Sequence, residues 1–292
     1  MQQQPVYLSV CAIYRDEAPY LAEWIEFHKL VGVERFFLFN NLSSDDHLDV
    51  LAPDIEAGTV VVEDWPGERP DFPAQAMCNF HCVEQHRHET RWLAFIDLDE
   101  FLFSPTGRSV PDLLVDYEYA AALWVSRPEF GTSGHRTKPP GLVTENYIRR
   151  GDLPVMASKR IVDPKRVIRP GLHEAYSDGP QVGTDHEVVE HPRRPPQLST
   201  LRLNHYFTKS EEEARVKAFR LRPSDGKAHI PLQRRFEKTL EIMDHVTDTS
   251  IHIYLPALRD ALARREGTAA TEATTITTPP RPGAGPAGRT AA

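Results

Sequence analysis

The sequence predicts an α/β fold, a mostly parallel sheet flanked by helices. Three observations predict it. Apolar strand-like runs and helical stretches alternate four times in the first hundred residues, the pattern of parallel strands joined by helical crossovers. The chain is long, at 292 residues, and 40% hydrophobic, enough for a sizeable core. The fourth apolar run, Trp92-Leu93-Ala94-Phe95-Ile96, passes directly into Asp97-Leu98-Asp99-Glu100. Parallel strands of an open sheet present their carboxyl ends to the ligand crevice, so an acidic burst at a strand end is a site signal.

The elements follow in order. Val6 to Ile13 reads as a buried first strand. Asp16 or Glu17 can cap a helix from about Pro19 to Leu30, in which Leu21, Trp24, Ile25 and His28 share one face. Gly32 ends it. Phe36-Phe37-Leu38-Phe39 is a second strand, stopping at Asn40-Asn41. Ser43, Ser44 and Asp45 offer caps for a helix with Leu48, Leu51 and Ile55, and Thr59-Val60-Val61-Val62 is the third strand. A Pro-rich loop at 66–73 leads to a helix over about 74–88 and then to the strand before the acids.

Val110 to Tyr117 predicts a short helix and Ala121 to Ser126 another strand. Residues 128–200 are rich in Gly, Pro and His and read as long loops, where a substrate is often chosen. Ser210-Glu211-Glu212-Glu213 is a capping box opening a helix through Phe219. Leu232, Phe236, Leu240 and Met243 mark an amphipathic helix, and Leu258 with Leu262 one more. From Gly267 onward the chain is Thr, Ala, Pro and Gly with one large apolar residue, Ile276, so 267–292 is expected to be a disordered tail.

Charge and cysteine usage narrow the function. A formal net charge of −8 argues against nucleic-acid binding, which needs a basic footprint. The three cysteines, Cys11, Cys78 and Cys82, have no framework spacing, which suggests reduced thiols and a cytoplasmic setting. No run is long enough for a transmembrane segment, and the first residues lack a basic leader. Cys78, His81 and Cys82 would cluster on one helix, but a structural zinc site draws ligands from a second segment as well, so core packing is the better reading.

Several residues could carry chemistry. Asp97 and Asp99, two apart, would share a face on strict strand geometry and could hold a hard divalent cation, or could be solvated turn acids. Arg15, Asp16 and Glu17 end the first strand and Asn40-Asn41 the second; both places border the crevice, as ligand contacts or as caps. Gln75 and Asn79, four apart on a helix, could bond a ligand. No Gly-rich phosphate loop follows the first strand, which disfavours a nicotinamide or ATP site but not a diphosphate held through a cation. His205 could complete a metal site or be a structural imidazole, and Lys209 could meet a phosphate.

Taken in order, several pieces resemble glycosyltransferase family 92 and its bacterial relatives, within the GT-A superfamily and its family 2-like members. They are Tyr14-Arg15-Asp16-Glu17 with Tyr20-Leu21-x-Glu23-Trp24, then Asn41-x-Ser43-x-Asp45, then Trp92 through Phe101. Phe130-Gly131-Thr132-Ser133-Gly134-His135, Lys159-Arg160-Ile161-Val162-x-Pro164, His173 and Asn204-His205-Tyr206-x-x-Lys209-Ser210 follow. The resemblance covers about residues 6–220. It implies a Rossmann-like GT-A fold in a single domain over 1–266: a nucleotide-binding half (1–103), an acceptor half (104–220) and C-terminal helices (221–266).

It further implies a metal-dependent, inverting transferase that moves a sugar from a nucleotide-sugar donor, UDP-linked, to a carbohydrate acceptor. Asp97 and Asp99 match the Asp-x-Asp that binds Mn2+ (or Mg2+), with His205 as a further ligand. Arg15, Glu17, Asn41, Gln75 and Asn79 match the base and ribose side of the crevice. Glu129 is the first candidate for the base that deprotonates the acceptor; Asp152, His173 and Glu174 are its competitors. Two other readings of the same residues are a non-catalytic nucleotide-sugar or carbohydrate-binding protein and a metal-dependent phosphohydrolase. Oligomeric state is beyond the sequence.

Overall fold

The computed structural model describes residues 5–66, 74–152, 158–171, 175–190, 195–219 and 242–276. The first half alternates as expected: β1 (Val6–Tyr14), α1 (Ala18–Leu30), β2 (Arg35–Asn40), α2 (His47–Glu56), β3 (Val60–Asp64), α3 (Ala74–His86) and β4 (Thr90–Phe95). After the acidic turn come β5 (Glu100–Phe103), α4 (Val110–Leu114) and β6 (Ala122–Ser126). The stretch expected as loop contains α5 (Val143–Asn146), β7 (Arg149–Arg150), β8 (Ser158–Val162), β9 (Val167–Pro170), β10 (Ala175–Ser177) and β11 (Gln181–Gly183). The described chain continues with β12 (Arg202–His205), α6 (Glu211–Phe219), β13 (Val246–Thr247) and α7 (Leu255–Ile276).

The main sheet runs β3-β2-β1-β4-β8-β6-β11. Pairs β1–β2, β2–β3, β1–β4 and β6–β11 are parallel, and β8 is antiparallel to both its neighbours. The chain leaves β1 toward β2 and β3, then returns to place β4 on the other side of β1. That reversal makes a switch point, the usual place for a ligand crevice.

Strand alternation divides the core into two layers. Leu8, Val10, Ala12 and Tyr14 of β1 join Trp24, Phe27, Phe36, Leu38 and Trp92 in one cluster. Cys11 and Ile13 join Phe37, Phe39, Cys78, Cys82, Leu93 and Phe95 in the other. The cysteines are thus core residues, all free and buried. Helix α1 buries Leu21, Trp24, Ile25 and His28, the face its spacing predicts. Gly32 ends it at φ +103, and a Cβ there would lie 2.5 Å from Pro111 Cδ, so both backbone hand and space require glycine.

Three expectations are corrected. The loop-rich reading of 128–200 misses β8, a central strand, because it is only five residues long and begins Ser-Lys-Arg. Lys159 enters the interior because Asp97 and Glu100 meet it, and Arg160 stacks on the Trp124 ring. The expected tail boundary at Gly267 falls too early: α7 runs on to Ile276, since Thr-Ala-Ala-Thr-Glu-Ala carries enough helix formers to extend an existing helix. The caps expected for α1 and α2 are also revised. Neither Glu17 nor Asp46, the residues preceding these helices, makes a side-chain cap bond; Asp45 reaches across from the β2–α2 loop to accept from Ala18 N at 2.8 Å. The expected helix at Leu232, Phe236 and Leu240 and the site residues His173 and Glu174 lie outside the described residues. Among those described, no helix is long and apolar enough to cross a membrane.

Candidate active site at the sheet switch point

The loops after β1 and β2 are stitched together. Asp16 N donates to Ser43 Oγ (2.9 Å), and Asp16 Oδ1 accepts from Ser44 N (2.7 Å). Asp16 stands in the left-handed region at φ 51. Non-glycine residues hold that conformation at about 1–3 kcal/mol and persist where surrounding bonds over-determine them, often at functional sites. These bonds fix the start of α1 beside the end of β2.

The acidic cluster is a turn rather than a strand. β4 stops at Phe95, Glu100 N donates to Asp97 O (3.0 Å), and β5 begins at Glu100. Strand alternation therefore does not orient Asp97 and Asp99; the turn does. Glu100 is fully buried, and its Oε2 accepts from Asp97 N at 2.8 Å. Its Oε1 meets Arg127 Nη1 (2.7 Å) and its Oε2 Lys159 Nζ (3.3 Å). Glu100 is thus the buried counter-charge that holds two cations under the turn.

Lys159 also binds one of the two aspartates, and Gln75, Lys217 and His205 complete their contacts. Asp97 Oδ1 accepts from Gln75 Nε2 (2.6 Å) and Oδ2 from Lys159 Nζ (2.8 Å). Burial alone would raise the Asp97 carboxyl, but the Lys159 ammonium outweighs it and holds the group below its usual range. Asp99 Oδ2 accepts from Lys217 Nζ, and Asp99 Oδ1 lies 3.3 Å from His205 Nε2. Burial opposes the charge here too, yet Lys217 and His205 hold the Asp99 carboxyl well below normal.

His205 ends β12, which pairs antiparallel with β5 and so arrives beside the acidic turn. Its Nδ1 bonds Glu129 Oε2, and Glu129 Oε1 meets Arg127 Nη2 at 2.9 Å. Backbone bonds lock the pair: Phe130 N to His205 O at 2.8 Å and His205 N to Pro128 O at 3.0 Å. Burial disfavours the charged imidazole, but the flanking Glu129 and Asp99 carboxylates raise it to about 9. The result is a carboxylate–imidazole–carboxylate line from Glu129 to Asp99. Glu129 itself, though buried, is kept below the usual carboxylate range by His205 and Arg127.

A cavity of about 410 Å3 adjoins this line, bounded by Arg15, Glu17, Tyr20, Phe207, Lys209 and Lys217 among others. Lys217 belongs to both. Lys209, at φ 49, lies 3.6 Å from Glu17 Oε2 and 3.7 Å from the Tyr20 ring centre. Lys138 stands 4.3 Å from the same ring. The expected capping box forms in both directions: Glu213 N donates to Ser210 Oγ (3.2 Å) and Ser210 N to Glu213 Oε2 (3.0 Å). Glu213 also accepts from the Tyr20 and Tyr147 hydroxyls, which anchors α6 over the cavity.

The sequence-predicted residues distribute unevenly. Asp97, Asp99, His205, Glu129 and Gln75 come together at the turn, and Arg15, Glu17 and Lys209 line the cavity. Asn41 is buried and donates to Trp65 O at 2.8 Å. Asn79 is buried in the thiol layer, donating to Gly171 O (2.9 Å) with its Oδ1 3.6 Å from Cys11 Sγ. Asp152 is exposed and lies 3.3 Å from His245 Nδ1. Sequence reasoning missed Arg127, Lys159 and Lys217. Lys159 stood inside a recognised piece, but nothing local says that a charged strand residue will be 2% exposed and paired.

Fold and site together define an open α/β protein whose polar crevice lies at the carboxyl ends of β1 and β4. The chain matches the model for Glycosyltransferase family 92 over residues 4–230 and belongs to that family. A glycosyltransferase family 92 protein of Ricinus communis is 33% identical over 168 residues, 56% of this chain and 30% of the relative. Galactan beta-1,4-galactosyltransferase GALS2 of Arabidopsis thaliana is 31% identical over 104 residues, 34% of this chain and 20% of that one. The chain thus spans less than a third of either relative's length. Among solved structures, S. aureus TarS 1–349 in complex with UDP-GlcNAc aligns at a TM-score of 0.35 and 12% identity, covering 54% of this chain and 45% of that chain.

Proposed function

We propose that this protein transfers a sugar, with inversion, from a UDP-sugar to a carbohydrate hydroxyl, with the help of a divalent cation. The observation that carries the reading is the Asp97–Asp99 turn and His205 at the switch point, joined through Lys217 to a cavity of about 410 Å3. Family membership supports the reaction class, and the galactan galactosyltransferase relative makes a galactosyl donor the first to try.

The side chains fit a hard divalent cation by their chemistry. Two carboxylates and one imidazole form the donor set, and the Glu129 bond to Nδ1 leaves His205 Nε2 toward Asp99, the way a carboxylate commonly orients a metal-binding histidine. Asp97, Asp99 and His205 would hold it. As they stand, these donors are paired with Gln75, Lys159 and Lys217, and among the described residues no three His, Cys, Asp or Glu side chains converge as a metal site. When bound, the cation supplies Lewis-acid stabilisation to the departing diphosphate. The chain itself contributes cationic groups at the phosphate side, Lys209 and Lys217, and a walled cavity for the nucleotide.

Glu129 has two conceivable tasks, deprotonating the acceptor or bracing His205. Both its oxygens are engaged and its proton affinity is lowered, which favours the brace. Glu129→Gln separates them. Lost manganese binding along with lost transfer identifies the brace; a transfer loss of roughly 10²–10⁴-fold with metal and UDP binding intact identifies the base.

The test of the whole reading is a screen of UDP-sugars for manganese-dependent hydrolysis and transfer. Asp97→Asn and Asp99→Asn should each reduce turnover sharply. UDP with manganese at about 100 Kd should stabilise the protein by about 2.7 kcal/mol. Full activity in excess chelator rejects the cation, and stronger stabilisation by GDP rejects uracil as the nucleobase of the donor. Binding without turnover identifies a carbohydrate-binding protein, and hydrolysis of simple phosphate esters alone a phosphohydrolase. NMR of the product linkage decides stereochemistry.

A further inference from the structure

Lys217 links the acidic turn to the cavity. It lies in the second half of α6, with its ammonium on Asp99 Oδ2 and on Phe207 O at 3.0 Å. The same ammonium stands 4.4 Å from the Phe207 ring centre and lines the cavity beside Lys209 and Arg15. The side chain is 32% exposed, unlike Lys159, which is sealed under the turn at 2%. The two lysines therefore differ in kind. Lys159 is fixed to Glu100 and Asp97 from below. Lys217 reaches Asp99 from the cavity side on a long, flexible stem.

Asp99 has a second neighbour, His205 Nε2 at 3.3 Å, so two side chains share one carboxylate. A divalent cation arriving at Asp99 meets the Lys217 ammonium on the same group, and like charges repel strongly in a partly buried site. A nucleotide diphosphate brings phosphate oxygens into the cavity, and these accept well from an ammonium. We propose that Lys217 exchanges partners on donor binding, leaving Asp99 for the donor diphosphate, and thereby makes cation and nucleotide bind together rather than separately. This rests on the proposed donor and cation. The consequence is a coupling between two ligands, which must be reciprocal. Lys217 opposes the cation when it comes alone and favours the diphosphate that accompanies it.

The experiment is calorimetric titration of wild type, Lys217→Met, Lys217→Arg and Asp99→Asn with manganese alone, then with UDP at saturating manganese. Thermal unfolding of each variant serves as the folding control. Lys217→Met should bind manganese alone about tenfold more tightly and UDP about tenfold more weakly, the scale of one hydrogen bond to a charged group. Lys217→Arg should restore UDP affinity. Opposite signs in the two titrations are the signature, because a lysine that merely supports the fold would weaken both. Weakening of both, or no change in either, overturns the exchange while leaving the cation site standing. If manganese binding is identical in wild type and Asp99→Asn, with and without UDP, the cation reading itself fails and the exchange fails with it.

Discussion

At the scale of residues, several buried polar side chains are held by specific partners from distant parts of the chain. His28 shows the principle. Its Nδ1 bonds Trp24 O at 2.8 Å, and its Nε2 accepts from Leu102 N at 3.2 Å. That arrangement requires the neutral ring with its proton on Nδ1. A second proton would face the Leu102 N–H. Burial pushes the folded ring from 6.5 down to about 3. The unfolded chain therefore takes up a proton below about pH 6.5 that the folded chain refuses until about pH 3. The stability from His28 is full above that window and falls as pH drops through it, by roughly 1.4 kcal/mol per unit. Wild type should lose melting temperature between pH 7 and 5 faster than His28→Phe. Equal slopes would place the acid sensitivity elsewhere. Glu100, Arg127 and Lys159 follow the same logic with charges, each buried only because the others are there.

At the scale of elements, the loops that build the crevice are held by their neighbours rather than by their own sequence. The first turn of α1 has no acidic residue and no cap of its own, and Asp45 supplies the missing acceptor from 27 residues away. Asp45→Ala should cost about 0.5–2 kcal/mol, the usual value of a helix cap, read from urea unfolding. Because the same loop bonds Asp16 at the mouth of the cavity, UDP affinity should fall as well. A stability loss with unchanged UDP binding would separate the cap from the site. The Phe130–His135 piece is held in a similar way. Asp244 accepts from Thr132 Oγ1 (2.8 Å) and Ser133 N (2.9 Å), and a Cβ on Gly131 would lie 2.5 Å from its Oδ1. Glycine is needed there for close approach, and the segment from Met243 onward thereby braces the stretch after β6 that bears Glu129.

At the scale of the molecule, the last described helix packs against α1 and α2. Leu258 of α7 is fully buried in the larger core cluster. Arg265 meets Glu26 Oε1 of α1 at 2.9 Å and the buried Asp54 of α2, which also pairs with Lys29. Loss of α7 uncovers that core and strips Asp54 of one of its two cations. A chain ending at Tyr254 should therefore lose at least about 2–5 kcal/mol, the cost of deleting a single buried leucine side chain. Removing only 277–292 should leave the melting temperature and UDP binding unchanged. A large loss from the shorter deletion would show that those residues dock on the fold.

Local pattern by itself determined the strand–helix alternation from β1 to β4, the apolar face of α1, the capping box of α6 and the placement of three acids directly after an apolar strand. Periodicity, capping and the sudden placement of charge after a buried run are properties of neighbouring residues, so they can be read along the chain. The ordered pieces also identified the family. Tertiary structure alone decided that Lys-Arg-Ile-Val is a central strand, that Asp45 caps α1, that Asn79 serves the thiol layer, and that Lys217 stands between Asp99 and the cavity. Each of these depends on a partner tens of residues distant. A charge can be buried only where its counter-charge is delivered, and delivery is settled by how the elements pack.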